Sequence, residues 1–340
     1  MSRIRGNVDP RFNGLILNRL PPVLHRHEFI VEPYLNGVRV DSFLSRHLRN
    51  YTSWRLHRMV GAGLVLIDDL PAETDQRVHR GQRVAIHLVE PPDKLLMPEV
   101  MALQIVYEDP WLLVIDKPVG LVAHPVGDYQ SGTLSNAVQA HLDGQTVAKG
   151  ILRPGIVHRL DRMTSGLIVV TKDHLSHRLL SLDFQAGRPS KSYLALVEGE
   201  PDFETRVIDL AIGHRPNASG VLMSAKPSAL RSRSARTEVF LQQRYGTYSL
   251  VECLLQTGRS HQIRVHLAEI GHPILGDEFY GPCGVIRSAP RFDGEEPTDQ
   301  RHALHASRLS FQHPIFGTTI EFTSPPPADF WELPQLSHAE

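Results

Sequence analysis

His158-Arg159-Leu160-Asp161-Arg162-Met163-Thr164-Ser165-Gly166-Leu167 runs straight into Ile168-Val169-Val170-Thr171, and the reading of this stretch decides the fold. One acid stands between two arginines, a setting that favours its ionised form. Five residues later, at Gly166, an apolar run rich in β-branched residues begins and predicts a buried strand. A carboxylate is therefore held in an electropositive turn at the entry to a rigid sheet, which is a place to do chemistry. Taken alone, an Asp between arginines is more often a structural ion pair than a nucleophile, so the weight must come from the rest of the chain.

Working outward, strands are expected over Ile105–Asp109 and Leu112–Pro118, turning at Asp109-Pro110, and a helix over Thr133–Leu142 through Leu134, Val138 and Leu142. Downstream, Asp173 can cap a helix carrying Leu175, Leu179, Leu180 and Phe184, with Gly187 and Pro189 ending it. Lys191–Gly199 alternates like a strand, and Arg236–Arg244 with Tyr248–Gln256 reads as a hairpin around Tyr245-Gly246-Thr247. Ser260 is the expected N-cap and Gly271 the terminator of a helix whose Ile263, Leu267 and Ile270 share an apolar face, with Arg264 beside it and able to point inward. Residues 284–300 read as a loop, and segments at 303–306 and 311–322 as closing strands.

The N-terminal part is organised differently. Residues 1–30 mix arginines with prolines and show no sustained period, so they read as an arm. From Val38, two short helices (Phe43, Leu44, Leu48; then Leu56, Met59, Val60) and a hairpin of Leu64–Ile67 with Gln82–Leu88 make a small module, 31–92, ended by a linker at Pro91-Pro92 to Met97-Pro98. The larger domain is expected over 98–330.

The chain has 340 residues and 41% apolar content, which suits roughly two domains at about 150 residues each. Its 36 basic and 37 acidic residues give a net charge of -1, so any nucleic-acid site must come from local clustering. Two clusters exist: Arg39, Arg46, Arg49, Arg55 and Arg58 against only Asp41, and, between Arg206 and Arg236, six basic residues including Arg231 and Arg233 against only Asp209. The first would draw phosphates along a helix pair, and the second, rich in Gly, Pro and Ser, reads as an exposed loop or hairpin. The bland alternative for the first is a solvated helix face. Cys253 and Cys283 are too few for a disulfide framework, which favours a reducing cytoplasm. No apolar run reaches the ~18 residues of a membrane span, and no secretory leader is evident at the N-terminus. The 19 histidines are scattered without a close ligand set, so no metal is expected. No G-x-x-x-x-G-K phosphate loop is present.

Three separated stretches resemble the motifs of the RluA-type RNA pseudouridine synthases. The opening stretch matches H-R-L-D-x-x-T-S-G, Lys191-Ser192-Tyr193-Leu194-Ala195 matches K-x-Y-x-A, and Leu255 to His266 matches L-x-T-G-R-x-H-Q-I-R-x-H. Val40–Leu44, Gly63–Ile67 and Arg80–Val84 are similar to the S4-like RNA-binding domain that precedes the catalytic domain in many of these enzymes, although Asp68-Asp69 departs from the usual V-N-G turn and Gln82 replaces a usual acid.

The resemblance implies an α+β fold: a catalytic domain on a largely antiparallel mixed sheet plus a small α/β S4-like domain. It implies catalysis by Asp161, Tyr193 and Arg264. Asp161 would attack a uridine, Arg264 would lower its pKa and aim it, and Tyr193 would stack on the displaced uracil and remove a proton. Arg159 matches the residue that fills the space left by the turned-out base, and His261 joins the RNA-contacting positions. Isomerisation needs no net redox change or hydrolysis, so no cofactor is expected. The implied partner is RNA, large-subunit ribosomal before transfer RNA, handled by a cytoplasmic monomer. A non-catalytic RNA-binding ribosome-assembly factor is the competing class, opposed by the retained Asp161, Tyr193 and Arg264; a hydrolase would need a Ser or Cys nucleophile motif or a metal set that the sequence lacks.

Overall fold

Ser165–Thr171 is buried along its whole length, and the larger part of the architecture is laid around it. A computed structural model of the chain describes residues 26–48, 51, 53–61, 63–87, 97–125, 131–145, 154–216, 222–287 and 301–336. The chain divides into two compact units. One runs to Met101 and takes in Ser135–Gly155 and Lys172–Leu175; the other holds Ala102–Leu134, Ile156–Thr171 and the chain from Ser176 onward.

In the first unit, β1 (Arg26–Ile30), α1 (Val40–His47), α2 (Ser53–Gly61), β2 (Val65–Ile67), β3 (Leu70–Pro71) and β4 (Arg83–His87) follow in order, with sheet order β1-β4-β2-β3. Val40, Phe43 and Leu44 of α1 and Leu56, Met59 and Val60 of α2 recur at three- and four-residue spacing and bury one face of each helix against Val65, Ile67, Val84 and Ile86. The expected pairing of the Leu64–Ile67 strand with the strand after Gln82 is present as β2 against β4, Val65 opposite Ile86. Both residues of the Asp68-Asp69 turn have positive φ, 50° and 67°, the hand that a two-residue hairpin turn requires. Arg26–Ile30, read from sequence as part of the arm, instead forms β1 and pairs antiparallel with β4. Residues 1–25 and the Pro91-Pro92 linker lie outside the described residues.

The second unit is built on β5 (Gln104–Glu108), β6 (Leu112–Lys117), β8 (Ser165–Thr171), β9 (Ser190–Glu198), β10 (Thr205–Asp209), β14 (Arg236–Arg244), β15 (Tyr248–Leu255), β16 (Leu304–Gln312) and β17 (Thr319–Thr323). A two-residue β7 (Gly155–Ile156) precedes β8; α3 (Leu134–Gly144) and α4 (His174–Gln185) each have residues in both units, and α5 (Gln262–Glu269) and α6 (Ala328–Leu336) belong to the second. The sheet order is β10-β14-β15-β9-β16-β8-β6-β5, with β17 on β16. All neighbours along it are antiparallel except β8 and β16, which run parallel, so the fold is α+β on a largely antiparallel mixed sheet. Leu112, Val114, Leu167, Val169, Leu309 and Phe311 pack with Leu180 of α4 as one core.

Parallel pairing of β8 with β16 explains a glycine of the central stretch. Gly166 sits opposite Ala306 with φ of +110°, and a Cβ built there would lie 2.4 Å from the Ala306 carbonyl oxygen. No side chain fits, so the strand leaving the Asp161 turn can lie against β16 only as glycine.

Two further local expectations are corrected, and one element is new. The basic Arg206–Arg236 segment is not a single loop or hairpin: β10 joins the main sheet, and β11 (Ile212–His214), β12 (Met223–Ser224) and β13 (Leu230–Arg233) form a separate small sheet. Ser260 does not cap α5. The capping position is His261 at φ 54°, while the Gln262 carboxamide oxygen accepts from the Arg259 backbone N–H at 3.0 Å and the Thr257 hydroxyl at 2.8 Å, tying down the loop that Ser260 was expected to serve. The closing helix α6 had no counterpart in the sequence reading. Asp173 does cap α4, accepting from the Leu175 N–H at 2.8 Å. Among the described residues no helix is long and apolar enough to cross a membrane.

Candidate active site

Asp161 sits in the turn before β8, Tyr193 on β9 and Arg264 on α5, and the fold brings the three together. The turn is pinned from several sides. Its own Thr164 N–H donates to the Asp161 carbonyl at 3.1 Å, Arg162 Nε donates to the Gly120 carbonyl at 3.1 Å, and Gly120 N–H returns a bond to the Arg162 carbonyl at 2.9 Å. Lys117, wholly buried at the end of β6, donates from Nζ to the carbonyls of Pro118, Leu121 and Arg162 at 2.7, 3.1 and 3.2 Å. Burial pushes its amine down to about 7, against the opposing pull of Asp161. On the far side Thr164 Oγ1 meets His302 Nε2 at 2.8 Å and Ser165 Oγ meets His305 Nδ1 at 2.9 Å. Arg301 ties the same Ser165 hydroxyl to Asp329 of α6, donating at 3.2 and 2.7 Å. At the start of the turn, His158 Nε2 accepts from the Val169 N–H at 3.1 Å, which fixes it as a neutral ring protonated on Nδ1.

Arg264 is 4% exposed and spends its nitrogens unequally. Nε donates to Asp277 Oδ2 at 2.7 Å and Nη2 to Asp277 Oδ1 at 2.9 Å, a two-point grip, whereas Nη1 reaches Asp161 Oδ2 at 3.3 Å. Asp277 also accepts the backbone N–H groups of Phe279 and Tyr280 at 3.0 and 3.1 Å, and the rings of those residues flank the guanidinium at 5.4 and 5.2 Å. Sequence reasoning aimed Arg264 at Asp161 and gave Asp277 no role. A carboxylate thirteen positions from its partner has no local spacing to betray it.

Burial by itself would raise the Asp161 carboxyl. Positive charge at His261, Arg264, His302 and Arg159 outweighs it and holds the group at about 2. His261 and His302 are themselves pushed down to about 4 and about 3, chiefly by burial, so near neutral pH they are uncharged and the arginines carry the effect. The result is a carboxylate, 17% exposed, that stays ionised across the physiological range. Tyr193 is 7% exposed and lies between small cross-strand neighbours, Cys253 and Ala306. Its phenol is pushed well up, first by burial and then by the Asp161 charge.

Of the candidate RNA contacts, Arg159 is exposed on the Asp161 turn, and Arg231 and Arg233 are exposed on β13. His261 is half-buried, its Nδ1 2.7 Å from the Tyr280 hydroxyl, and so faces the interior cluster rather than an open surface. In the first unit Arg46 is exposed, but Arg55 is 3% exposed with its guanidinium 4.5 Å from the centre of the Tyr51 ring; the charge count grouped it with the phosphate-drawing arginines, and packing has drawn it in. Arg49 and the side chain of Arg58 lie outside the described residues. Among the described residues no three His, Cys, Asp or Glu side chains gather in a way that could hold a metal ion.

Comparison with known proteins gives this geometry its context. The model of the RNA pseudouridylate synthase family matches residues 111–269, which contain Asp161, Tyr193 and Arg264. The ribosomal large subunit pseudouridine synthase D of Neisseria meningitidis serogroup A is 38% identical over 306 residues, covering 88% of this chain and 78% of that one. The uncharacterized RNA pseudouridine synthase YlyB of Bacillus subtilis is 34% identical, covering 87% and 92%. Among solved structures, human RNA pseudouridylate synthase domain containing 1 aligns with a TM-score of 0.51 at 25% identity, over 68% of this chain and 87% of that one. The chain belongs to the RluA-type family of RNA pseudouridine synthases. It is an isomerase whose substrate is uridine in RNA.

Proposed function

We propose that this enzyme isomerises specific uridines of large-subunit ribosomal RNA, with Asp161 as the nucleophile. The observation that carries the chemistry is the asymmetric use of Arg264: with two nitrogens clamped by Asp277, its remaining edge is aimed at Asp161 and cannot swing away. The name of the Neisseria relative supports the choice of RNA.

In the reaction an ionised Asp161 attacks the uridine, the N-glycosidic bond breaks, and the uracil rejoins the ribose through C5. One proton leaves C5 and one ends on N1, so atoms balance without a cofactor. Tyr193 stacks on the displaced ring and takes the C5 proton. While Asp161 is ionised its charge helps to keep the phenol protonated; once the carboxylate is covalently bound that charge is spent, and the phenol loses a proton more readily. Turning the uridine out of a stacked RNA costs about a few kcal/mol, and exposed Arg159 is placed to fill the gap. Residues 31–92, as an S4-like domain with Arg46, Arg49 and Arg58, supply affinity, as do Arg231 and Arg233, while Arg55 is left to packing; residues 98–330 supply the chemistry. The enzyme works as a cytoplasmic monomer.

Mapping pseudouridines in cellular RNA with and without the gene is the test. Loss of one or more sites from large-subunit ribosomal RNA is the expected outcome. Loss confined to transfer RNA would move the substrate, and an unchanged map would leave the chain as an RNA-binding assembly factor that has kept the fold.

A further inference from the structure

Two residues before Tyr193, on the same face of β9, lies Lys191. Lys191 is 8% exposed, yet its ammonium has no carboxylate partner and no hydrogen-bond acceptor among the described residues. Its ammonium is not fully sealed and keeps some access to solvent. Its surroundings offer little compensation. The Phe184 ring, stacked at 4.6 Å on His158, lies 5.9 Å from Nζ, the outer limit of a useful cation–ring contact. The loop before α5 passes over it so closely that a Cβ at Gly258 would stand 3.5 Å from Nζ. The next residue of that loop is a second cation. Arg259 directs Nε to the Ser234 carbonyl at 3.1 Å, and among the described residues neither terminal nitrogen has an acceptor.

A nearly buried ammonium facing a guanidinium is costly, because the carboxylate that would normally repay its desolvation is missing. The arrangement makes sense when the anion arrives from outside. We propose that Lys191 and Arg259 hold a backbone phosphate of the RNA next to the uridine turned into the site. This rests on the reading of the chain as an RNA-modifying enzyme and adds to it a contact that fixes the backbone while the base is handled by Asp161 and Tyr193. The spacing suits it: residues two apart on one face of a strand are separated by about 6.6 Å, a reach comparable to that between a base and its own phosphate. Charge-assisted bonds from ammonium and guanidinium to phosphate oxygens are the strong class, and such contacts set register on the strand without reading its sequence. The depressed pKa of the lysine, caused first by burial and then by Arg259, has the direction expected of a cation waiting for its counter-charge.

The test uses the full-length enzyme and total RNA from cells lacking the gene, which contains the unmodified target whatever it is. Pseudouridine formed by the wild-type protein in that RNA is the control for the enzymatic reading, and its absence would overturn both. Given that control, Lys191→Met should raise the half-saturating RNA concentration by roughly tenfold and lower saturating turnover by a smaller factor. It should also flatten the plot of log kcat/KM against log salt by about 0.7 to 0.9, one phosphate contact's worth. Lys191→Arg should restore much of both. A structural role predicts the opposite pattern: a lower melting temperature and lost turnover with the salt slope unchanged. That result, or a Met variant with unaltered half-saturation and slope, would overturn the proposal; a melting temperature equal to or above that of the wild type together with the flattened slope would uphold it.

Discussion

On one side of the Arg264 guanidinium, Asp277 is sealed from solvent and saturated by two guanidinium nitrogens and two backbone N–H groups; on the other, Asp161 keeps 17% of its surface and receives one bond at 3.3 Å. Both are carboxylates beside the same cation, but their burdens differ. A saturated acid has no lone pair left for a substrate, and what it contributes is the position of the arginine. The other is ionised, aimed and under-used, which is the condition of a group kept for reaction. The protein has thus separated holding the charge from using it.

Breaking the working side should have the largest effect. Asp161→Asn is expected to lower pseudouridine formation at least about a thousandfold in a protein that still folds, because Arg264 keeps Asp277; the melting temperature should fall only by what the ionised carboxylate contributes. Near-normal turnover in a folded Asn variant would remove Asp161 from its role. Breaking the holding side should show mainly as lost stability. Asp277→Asn strips the full charge from a buried pair and should cost about 3 to 5 kcal/mol in urea unfolding; if it unfolded like the wild type while the Asp161 variant did not, the two sides would have been assigned the wrong way round.

A smaller effect sharpens the electrostatics. Asp161 is depressed to about 2 in the folded protein against roughly 4 unfolded, so the stability that its ionised form contributes is complete above the unfolded value and is lost only as pH falls through the folded one. The profile of kcat/KM should therefore show no acid limb from this group between pH 4.5 and 7. A limb there that moved in an Arg264 variant would mean the carboxyl is less depressed than its neighbours imply. Smallest of all, Arg231→Ala and Arg233→Ala, exposed on β13, should each flatten the salt dependence of RNA binding by roughly 0.7 to 0.9 in log–log slope with stability changed by no more than about 0.5 kcal/mol.

Periodicity exposed the elements whose reasons are local. The α1–α2 pair, the cap at Asp173, the alternation of β9 and the buried run of β8 were all readable because a helix stripe or a strand alternation sits within ten or so residues. The motif at Asp161 marked the site, and Tyr193 and Arg264 were named with it. What stayed hidden depends on distant partners. Asp277 looked like one more loop acid until folding placed it on Arg264, and Lys117 looked like the polar end of a strand until its ammonium joined the carbonyls of Pro118 and Leu121 to that of the distant Arg162. Arg55 was misjudged for the converse reason, since a charge count along a helix cannot tell which arginine will be folded in against Tyr51. The small sheet β11-β12-β13 escaped because its strands are two to four residues long, too short for alternation to register.

The pairing of β8 with β16 has a consequence for biosynthesis. Ser165 and His305 are 140 residues apart in the chain, yet one side of the Asp161 turn is held from that later segment, by His302 on Thr164 and by His305 and Arg301 on Ser165. At translation rates of about 5 to 20 residues per second, the nascent turn would wait roughly 7 to 28 s before the strand that completes it has been made. Until then the turn has its ties to Lys117 and Gly120 on the near side, and the carboxylate lacks the part of its frame that Arg301, His302 and His305 supply.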